Sequence, residues 1–277
     1  MNSIFSNDTN ISALHIGNDD VKKVYFGSTL IYEETPPIPN YFQFKAVNGN
    51  ATVSMSTGGT SSTIASPSVS YSRDGSSWAS WGFGNLSIPS GSTVYFKGSN
   101  SQGFSKYNTN LSKYKYMRFN ISGQVECHGS VQSLIWGDNF ENNLTLPQGG
   151  SRIKAGYTFY CLFSGCTGLL TAPELPATAT TENCYYSMFY GCSNLKTAPV
   201  LPSKSIASQA YNNMFRSCSK LNYIKAMFTT TPSTSVTGYW VSGVASSGTY
   251  VKNSSASYTD RGVSAIPNNW TVETASS

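Results

Sequence analysis

A mainly β fold is predicted for this chain by three observations. Only 11% of its 277 residues are charged while 13% are aromatic, a balance that suits pleated, half-buried surfaces and excludes an unfolded chain. Between 41 and 128, short segments alternate apolar and polar residues around Gly- and Ser-rich turns, the period-two mark of strands. From 151 to 228 one pattern recurs every 26 residues, and a period of that length marks stacked repeats.

The elements follow in chain order. Residues 1–34 contain two related segments, HIGNDDV (15–21) and YFGSTLI (25–31), offset by ten with Gly17 over Gly27. Each reads as two short strands about a turn. Val24, Phe26, Leu30 and Ile31 give apolar faces too small to close a core alone, so this unit is expected to attach to something else. The linker at 35–40 lies within EETPPIPN, whose three prolines make it stiff and extended. Residues 41–128 read as a β-sandwich of Ig-like type, with strands in YFQFKAV, ATVSM, SVSYS, TVYFKG and YKYMRFNI. YSRDGSSWASW (71–81) reads as a hairpin with Asp74-Gly75 as a tight turn.

Residues 129–228 read as a solenoid and 229–277 as a β cap, with the irregular stretch 119–150 as an N-terminal cap. The period superposes Phe163, Phe189 and Phe215, then Cys166, Cys192 and Cys218, then Leu169, Leu195 and Leu221. Within one copy Met188, Phe189, Cys192 and Leu195 stand at i, i+1, i+4 and i+7, extended backwards by Tyr185. That spacing predicts a short helix, stopped by the prolines of TAPVLP, which is expected to be extended.

The repeat segments CLFSGCTGLLTAPELP, SMFYGCSNLKTAPVLP and NMFRSCSKLNYIKAM resemble the BspA-like leucine-rich repeats of bacterial surface proteins and of phages of gut Bacteroidales, including crAss-like phages. YWVSGVASSGTYVKN with IPNNWTV is similar to the end module of such repeats, and VKKVYFGSTLIYEETPP to an attachment segment of phage virion proteins. The matches cover about half of the chain. They imply a leucine-rich-repeat solenoid and a fibre or decoration protein. They imply no activity, because the family shares no catalytic residues and fold does not fix function.

The residues that could carry chemistry have architectural readings. No CxxC occurs among the six cysteines, and neither His15 nor His128 completes a zinc set. Cys127 and His128 are adjacent, so on a strand they face opposite ways. The Cys ladder is expected to be buried and free, with a Cys161–Cys184 bridge left open. Asp138 and Glu141 form a carboxylate pair of the kind glycosidases use, but a polar turn accounts for them equally, and a Ca²⁺ ion near Asp138 stays open. No catalytic residue, cofactor or metal is assigned. Lys106, Lys113, Lys115 and Arg118 interleave with Tyr107, Tyr114 and Tyr116. An alternating strand explains them better than a nucleic-acid site.

Surface binding is what remains. Aromatic side chains beside Asn and Ser form sugar-binding surfaces, and the candidates are Tyr160, Tyr186, Asn194, Lys196, Trp78 and Trp81. The expectation is a non-enzymatic phage structural protein that attaches to other virion proteins through residues 1–34 and binds host-surface or mucosal glycans. It is expected to be a homo-oligomer, with a trimer as one arrangement. No nucleic acid and no membrane insertion are expected. MNSIFSNDTNIS has no apolar run of secretory type, which fits a virion protein assembled in the host cytoplasm. A secreted BspA-like adhesin or carbohydrate-binding module is the alternative.

Overall fold

The computed structural model describes residues 37–59, 66–108, 113–148 and 153–275, together with the strand backbones between His15 and Glu33. It divides into two compact units, Met1–Pro39 and Asn40–Ser277. The described residues are mainly β, with antiparallel sheets and little helix.

In the first unit β1 (His15–Ile16) pairs β2 (Asp19–Asp20), and β3 (Lys23–Phe26) pairs β4 (Thr29–Glu33), both antiparallel. Each of the two related sequence segments therefore makes its own hairpin. Val24, Phe26, Leu30 and Ile31 lie on β3 and β4; their side chains lie outside the described residues.

The second unit opens with one eight-stranded sheet. Its strands are β5 (Phe42–Gly59), β6 (Val69–Ser72), β7 (Ala79–Ser80), β8 (Leu86–Ile88), β9 (Thr93–Gly98), β10 (Lys106–Asn108), β11 (Lys113–His128) and β12 (Ile153–Lys154). The order is β12-β10-β11-β5-β9-β6-β7, with β8 on β5. YFQFKAV and ATVSM, expected as two strands, are one bent strand, β5, paired along its length with β11. Asn48 and Gly49 take positive φ without reversing the chain. Opposite them the register slips between Ser122 and Gln124, at Gly123, where a Cβ would sit 2.6 Å from the Asn50 carbonyl. This bulge bends the strand and changes its other neighbour from β9 to β8. The buried faces join in a cluster of Phe42, Phe44, Trp81, Phe96 and Phe119.

The hairpin at 71–81 also differs from expectation. Tyr71 pairs Ala79, so a long loop replaces a two-residue turn. The Asp74 carboxylate organises that loop, accepting the Ser76 and Ser77 amides at 2.8 and 2.7 Å and the Ser72 hydroxyl at 2.8 Å. Beyond β11, a short helix α1 (Ser133–Trp136) and a 3-10 turn (Gly137–Asn142) follow. The Ser133 hydroxyl locks α1 to the sheet, donating to the Phe96 carbonyl and accepting the Phe42 amide.

The repeats stack as coils at 157–176, 183–202 and 209–227. No helix forms along their Phe-Cys-Leu faces, contrary to the spacing argument. Alternate residues instead point their amides to the next coil: Phe159, Cys161 and Phe163 donate to Cys184, Tyr186 and Met188 at 2.8–2.9 Å. Asn183, Tyr185, Ser187 and Phe189 donate likewise to Ser208, Ala210, Asn212 and Met214. The residues between them close local i+3 turns, such as Met188 to Tyr185. Every fourth residue is left-handed: Cys161 and Gly165; Asn183, Ser187 and Gly191; Gln209, Asn213 and Ser217. Side chains therefore recur every four residues, close enough to 3.6 to imitate a helix.

Three inner columns follow. Phe119, Phe163, Phe189 and Phe215 stack face to face with centroids 5.5, 5.3 and 5.7 Å apart. Cys192 and Cys218 donate their thiols to the carbonyls of Phe163 and Phe189, one coil back, at 3.1 and 2.9 Å. Cys166 does the same to Phe119 on β11. Leu169, Leu195 and Leu221 are fully buried beside them. So β11 serves as the rung before the first coil, and the Phe119 amide donates to Leu162.

The stack also runs one coil further than the sequence pattern. Asn213 and Ser217 donate to Gly238 and Ser242, and Tyr239 and Gly243 repeat the left-handed positions. A short helix α2 (Thr234–Thr237) leads into this fourth coil. β13 (Tyr223–Ala226), β14 (Thr249–Lys252) and β15 (Thr271–Thr274) form a parallel sheet on its flank. Trp240 and Trp270 are buried there, their indole N–H groups donating to Ala265 and Ala245.

Two predictions follow from this packing. Gly191→Ala meets no close neighbour but forces a side chain on a φ of 71°, so it costs about 1 kcal/mol. Gly168→Ala drives its Cβ into the Gly123 carbonyl and costs clearly more. Equal melting temperatures for the two variants would contradict the seam between β11 and the first coil. Second, all six cysteines are free, and only Cys161 is not fully buried. Burial pushes the Cys161, Cys166, Cys184 and Cys218 thiols up to about 12. Thiol titration of the native protein is expected to be slow, Cys161 first, and to reach all six on unfolding. A fast-reacting native thiol would refute the buried ladder.

Candidate ligand-binding surface

Where the sheet meets the coils, six tyrosines gather. Tyr107 on β10 is the cross-strand partner of Tyr114 on β11, and Tyr116 shares the Tyr114 face two residues on. The Tyr116 ring lies against Gly58 of β5, where any Cβ would collide with it. The first coil brings Tyr157 and Tyr160, and the second brings Tyr186. The rings form parallel pairs: Tyr107 with Tyr157 at 5.3 Å and 19°, Tyr114 with Tyr116 at 6.1 Å and 12°, and Tyr160 with Tyr186 at 4.9 Å and 9°. Tyr160 joins the pairs, 5.5 Å from both Tyr116 and Tyr157.

A cleft of about 300 Å³ opens among Tyr107, Tyr114, Tyr157, Tyr160 and Tyr186, with Asn183 and Gln209 also on its lining. Burial raises the Tyr157 and Tyr160 hydroxyls above the ordinary phenol range, and neighbouring Glu182 adds to the shift at Tyr157. These phenols therefore stay protonated and offer donors. Asn213 Nδ2 donates to the Tyr186 hydroxyl at 3.1 Å. Asn183 is 3% exposed and its Nδ2 meets no acceptor.

Of the residues singled out from sequence, Tyr160 and Tyr186 belong to this cleft and the others do not. Asn194 clasps coils, donating to Thr167 and accepting from Lys220 Nζ, each at 2.7 Å. Lys196 is exposed. Trp81 is 7% exposed, and its indole N–H is taken by the Gly84 carbonyl. It is a core residue packed on Phe96 and Phe119, which corrects its reading as a surface ligand. Trp78 lies under the Lys97 ammonium, 4.3 Å from its ring centre, and edge-on to Tyr41. Tyr107, Tyr114, Tyr116 and Tyr157 were not among the sequence candidates for a ligand site. Tyr107, Tyr114 and Tyr116 read there only as an alternating strand.

The basic residues divide between the two faces of the sheet, with Arg118 two residues on from Tyr116 and on its side. Lys106 and Lys115 are cross-strand partners on the opposite side of the sheet from Tyr107 and Tyr114, and Lys115 Nζ donates to the Ser66 hydroxyl. Asp138 is held by Lys97 at 2.8 and 2.9 Å and accepts the Tyr41 hydroxyl at 2.5 Å, while Glu141 accepts the Asn40 amide. Both carboxylates thus have packing roles. Cys127 is buried and His128 exposed, as alternation requires. Among the described residues no three His, Cys, Asp or Glu side chains cluster in a way that would hold a metal ion, and no helix is long and apolar enough to cross a membrane.

Comparison with protein-family models, curated proteins and solved structures found no match.

The Asp138 anchor makes a prediction about pH. Hydrogen bonds from Lys97 and Tyr41 lower the Asp138 pKa, so its contribution is present above the unfolded carboxylate pKa of about 3.9 and is lost as pH falls through the lower folded value. The Asp138 side chain is 62% exposed, so Asp138→Asn is expected to cost only about 0.5–1 kcal/mol at neutral pH. It should also flatten the acid side of the stability profile. Parallel acid limbs for wild type and variant would contradict this role.

Proposed function

We propose that this chain is a non-enzymatic phage structural protein, of fibre or decoration type, whose stacked coils form a leucine-rich-repeat solenoid displaying an adhesive surface for host-surface or mucosal glycans. The observation that carries the reading is the tyrosine cleft, where partly exposed rings gather with Asn183 and Gln209 on the lining. Such surfaces suit sugars, because the rings pack on C–H faces while polar groups meet hydroxyls. Cys192, Cys218, Asp138 and Glu141, residues that could be drawn on for chemistry, are engaged in packing and hydrogen bonds. Residues 41–128 serve in this reading as an Ig-like spacer or oligomerisation module. Met1–Pro39, a separate compact unit, docks the protein to other virion proteins. A secreted bacterial adhesin would use the same cleft but have no particle to join.

Two measurements test the proposal. Deleting residues 1–40 is expected to abolish incorporation into particles, scored by labelled antibody on purified virions, whereas normal occupancy by the truncated protein would refute the docking role. The full chain is expected to bind a subset of a host-type glycan array without degrading it. Turnover of any glycan would contradict the non-enzymatic reading.

A further inference from the structure

Building on the adhesive reading above, we infer that Arg216 and the exposed rings of Tyr190 and Tyr239, on the outer face of the coils, form a subsite for the carboxylate of an acidic sugar. Three observations carry this. First, the Arg216 guanidinium lies over rings from the coils before and after its own, 6.0 Å from the centre of Tyr190 and 5.7 Å from that of Tyr239. Among the described residues no carboxylate pairs with it, and its one side-chain hydrogen bond is to Asn213 Oδ1 at 3.3 Å. A guanidinium carries five N–H donors in a planar fork, so most are left for a ligand, and a carboxylate fits that fork with both oxygens. Asn213 also donates to the Tyr186 hydroxyl, so this subsite borders the tyrosine cleft.

Second, Tyr190 and Tyr239 are the aromatic side chains left exposed among the described residues, at 39% and 54%, and both meet Arg216. Tyr239 takes a left-handed φ of 54° in a column where the earlier coils place Cys161, Ser187 and Asn213. A bulky residue is strained there, and burial does not offset the strain because the ring is exposed. Rings beside a cation suit an acidic sugar, whose C–H faces pack on them while its carboxylate meets the guanidinium. Third, the chain from 183 to 259 holds Lys196, Lys204, Arg216, Lys220, Lys225 and Lys252 and no Asp or Glu. Glu182, Asp260 and Glu273 border this stretch, and the cations outnumber them, so the field over the coils draws anions. The cations do not line one groove. Lys225 and Lys252 sit on β13 and β14, where Lys252 Nζ donates to the Tyr258 carbonyl, and Lys220 Nζ is held by Asn194. A nucleic-acid backbone needs a continuous basic track, whereas one unpaired guanidinium beside two rings suits a single carboxylate.

The test uses the full chain and saturation-transfer NMR with glucuronate, galacturonate and N-acetylneuraminate, against glucose, galactose, inorganic phosphate and a single-stranded oligonucleotide. At least one acidic sugar is expected to bind, more weakly as salt is raised. Arg216→Gln and Tyr190→Ala are each expected to weaken that binding about tenfold. Lys204→Gln, which removes an exposed charge elsewhere on the coils, leaves it as it was. Tyr239→Asn is expected to weaken binding as much while leaving the melting temperature unchanged or higher, because Asn tolerates a left-handed φ. A lower melting temperature for Tyr239→Asn with binding unchanged marks a structural staple and overturns the inference. So does equal or tighter binding of phosphate or the oligonucleotide, or a loss in Lys204→Gln equal to that in Arg216→Gln. Binding of neutral sugars but of no acidic one overturns this subsite alone, and the adhesive reading then stands on the tyrosine cleft. No binding to any glycan, on the array or in solution, overturns both.

Discussion

Everything in the second unit depends on how one coil is tied to the next. Alternate backbone amides of each coil donate to carbonyls of the following one, and the residues between close local turns. This arrangement uses the backbone donors in two directions and demands a left-handed residue at every fourth position. It also fixes equivalent side chains one above another. The Phe stack, the thiols donating to the carbonyl one coil back and the Tyr160–Tyr186 pair are consequences of that register. Because β11 takes the place of the rung before the first coil, the sheet and the coils share one core of aromatic rings.

The same joint creates the cleft. Tyr107, Tyr114 and Tyr116 are delivered by strand alternation and Tyr157, Tyr160 and Tyr186 by coil register. Neither set alone encloses a space. A shift of one residue in the pairing of β11 would turn Tyr114 and Tyr116 to the face of Met117 and Phe119. The bulge at Gly123 and the approach of Gly168 to it therefore bear on the cleft from a distance, by holding β11 in place.

Much of this was legible in the sequence and some of it was not, for physical reasons. The period of 26 is written in Phe163, Cys166 and Leu169 and their copies, and it located the core columns correctly. A local period of four and a helix of 3.6 place the same residues on one face, so Met188, Phe189, Cys192 and Leu195 could not tell them apart; the left-handed Ser187 and Gly191 do. The fourth coil was hidden because Val241, Val244 and Ser247 stand where Phe, Cys and Leu stood before. YFQFKAV and ATVSM read as two strands, yet Asn48 and Gly49 between them form a bulge within one strand, since the difference lies in the partner strand. Two tyrosines of the cleft were picked out by their repeat. The other four needed the joint, which brings together residues far apart in sequence.

The central claim is that β11 is the first rung of the coil stack, so that sheet and coils open together. Native-state hydrogen exchange measures this directly. The amides of Phe119 and Val125, which donate from β11 to the first coil, and those of Phe163 and Phe189, which donate between coils, are predicted to exchange with one common opening free energy and to respond together to denaturant. Exchange of Phe163 and Phe189 through a separate, lower-energy opening that leaves Phe119 and Val125 protected would contradict it.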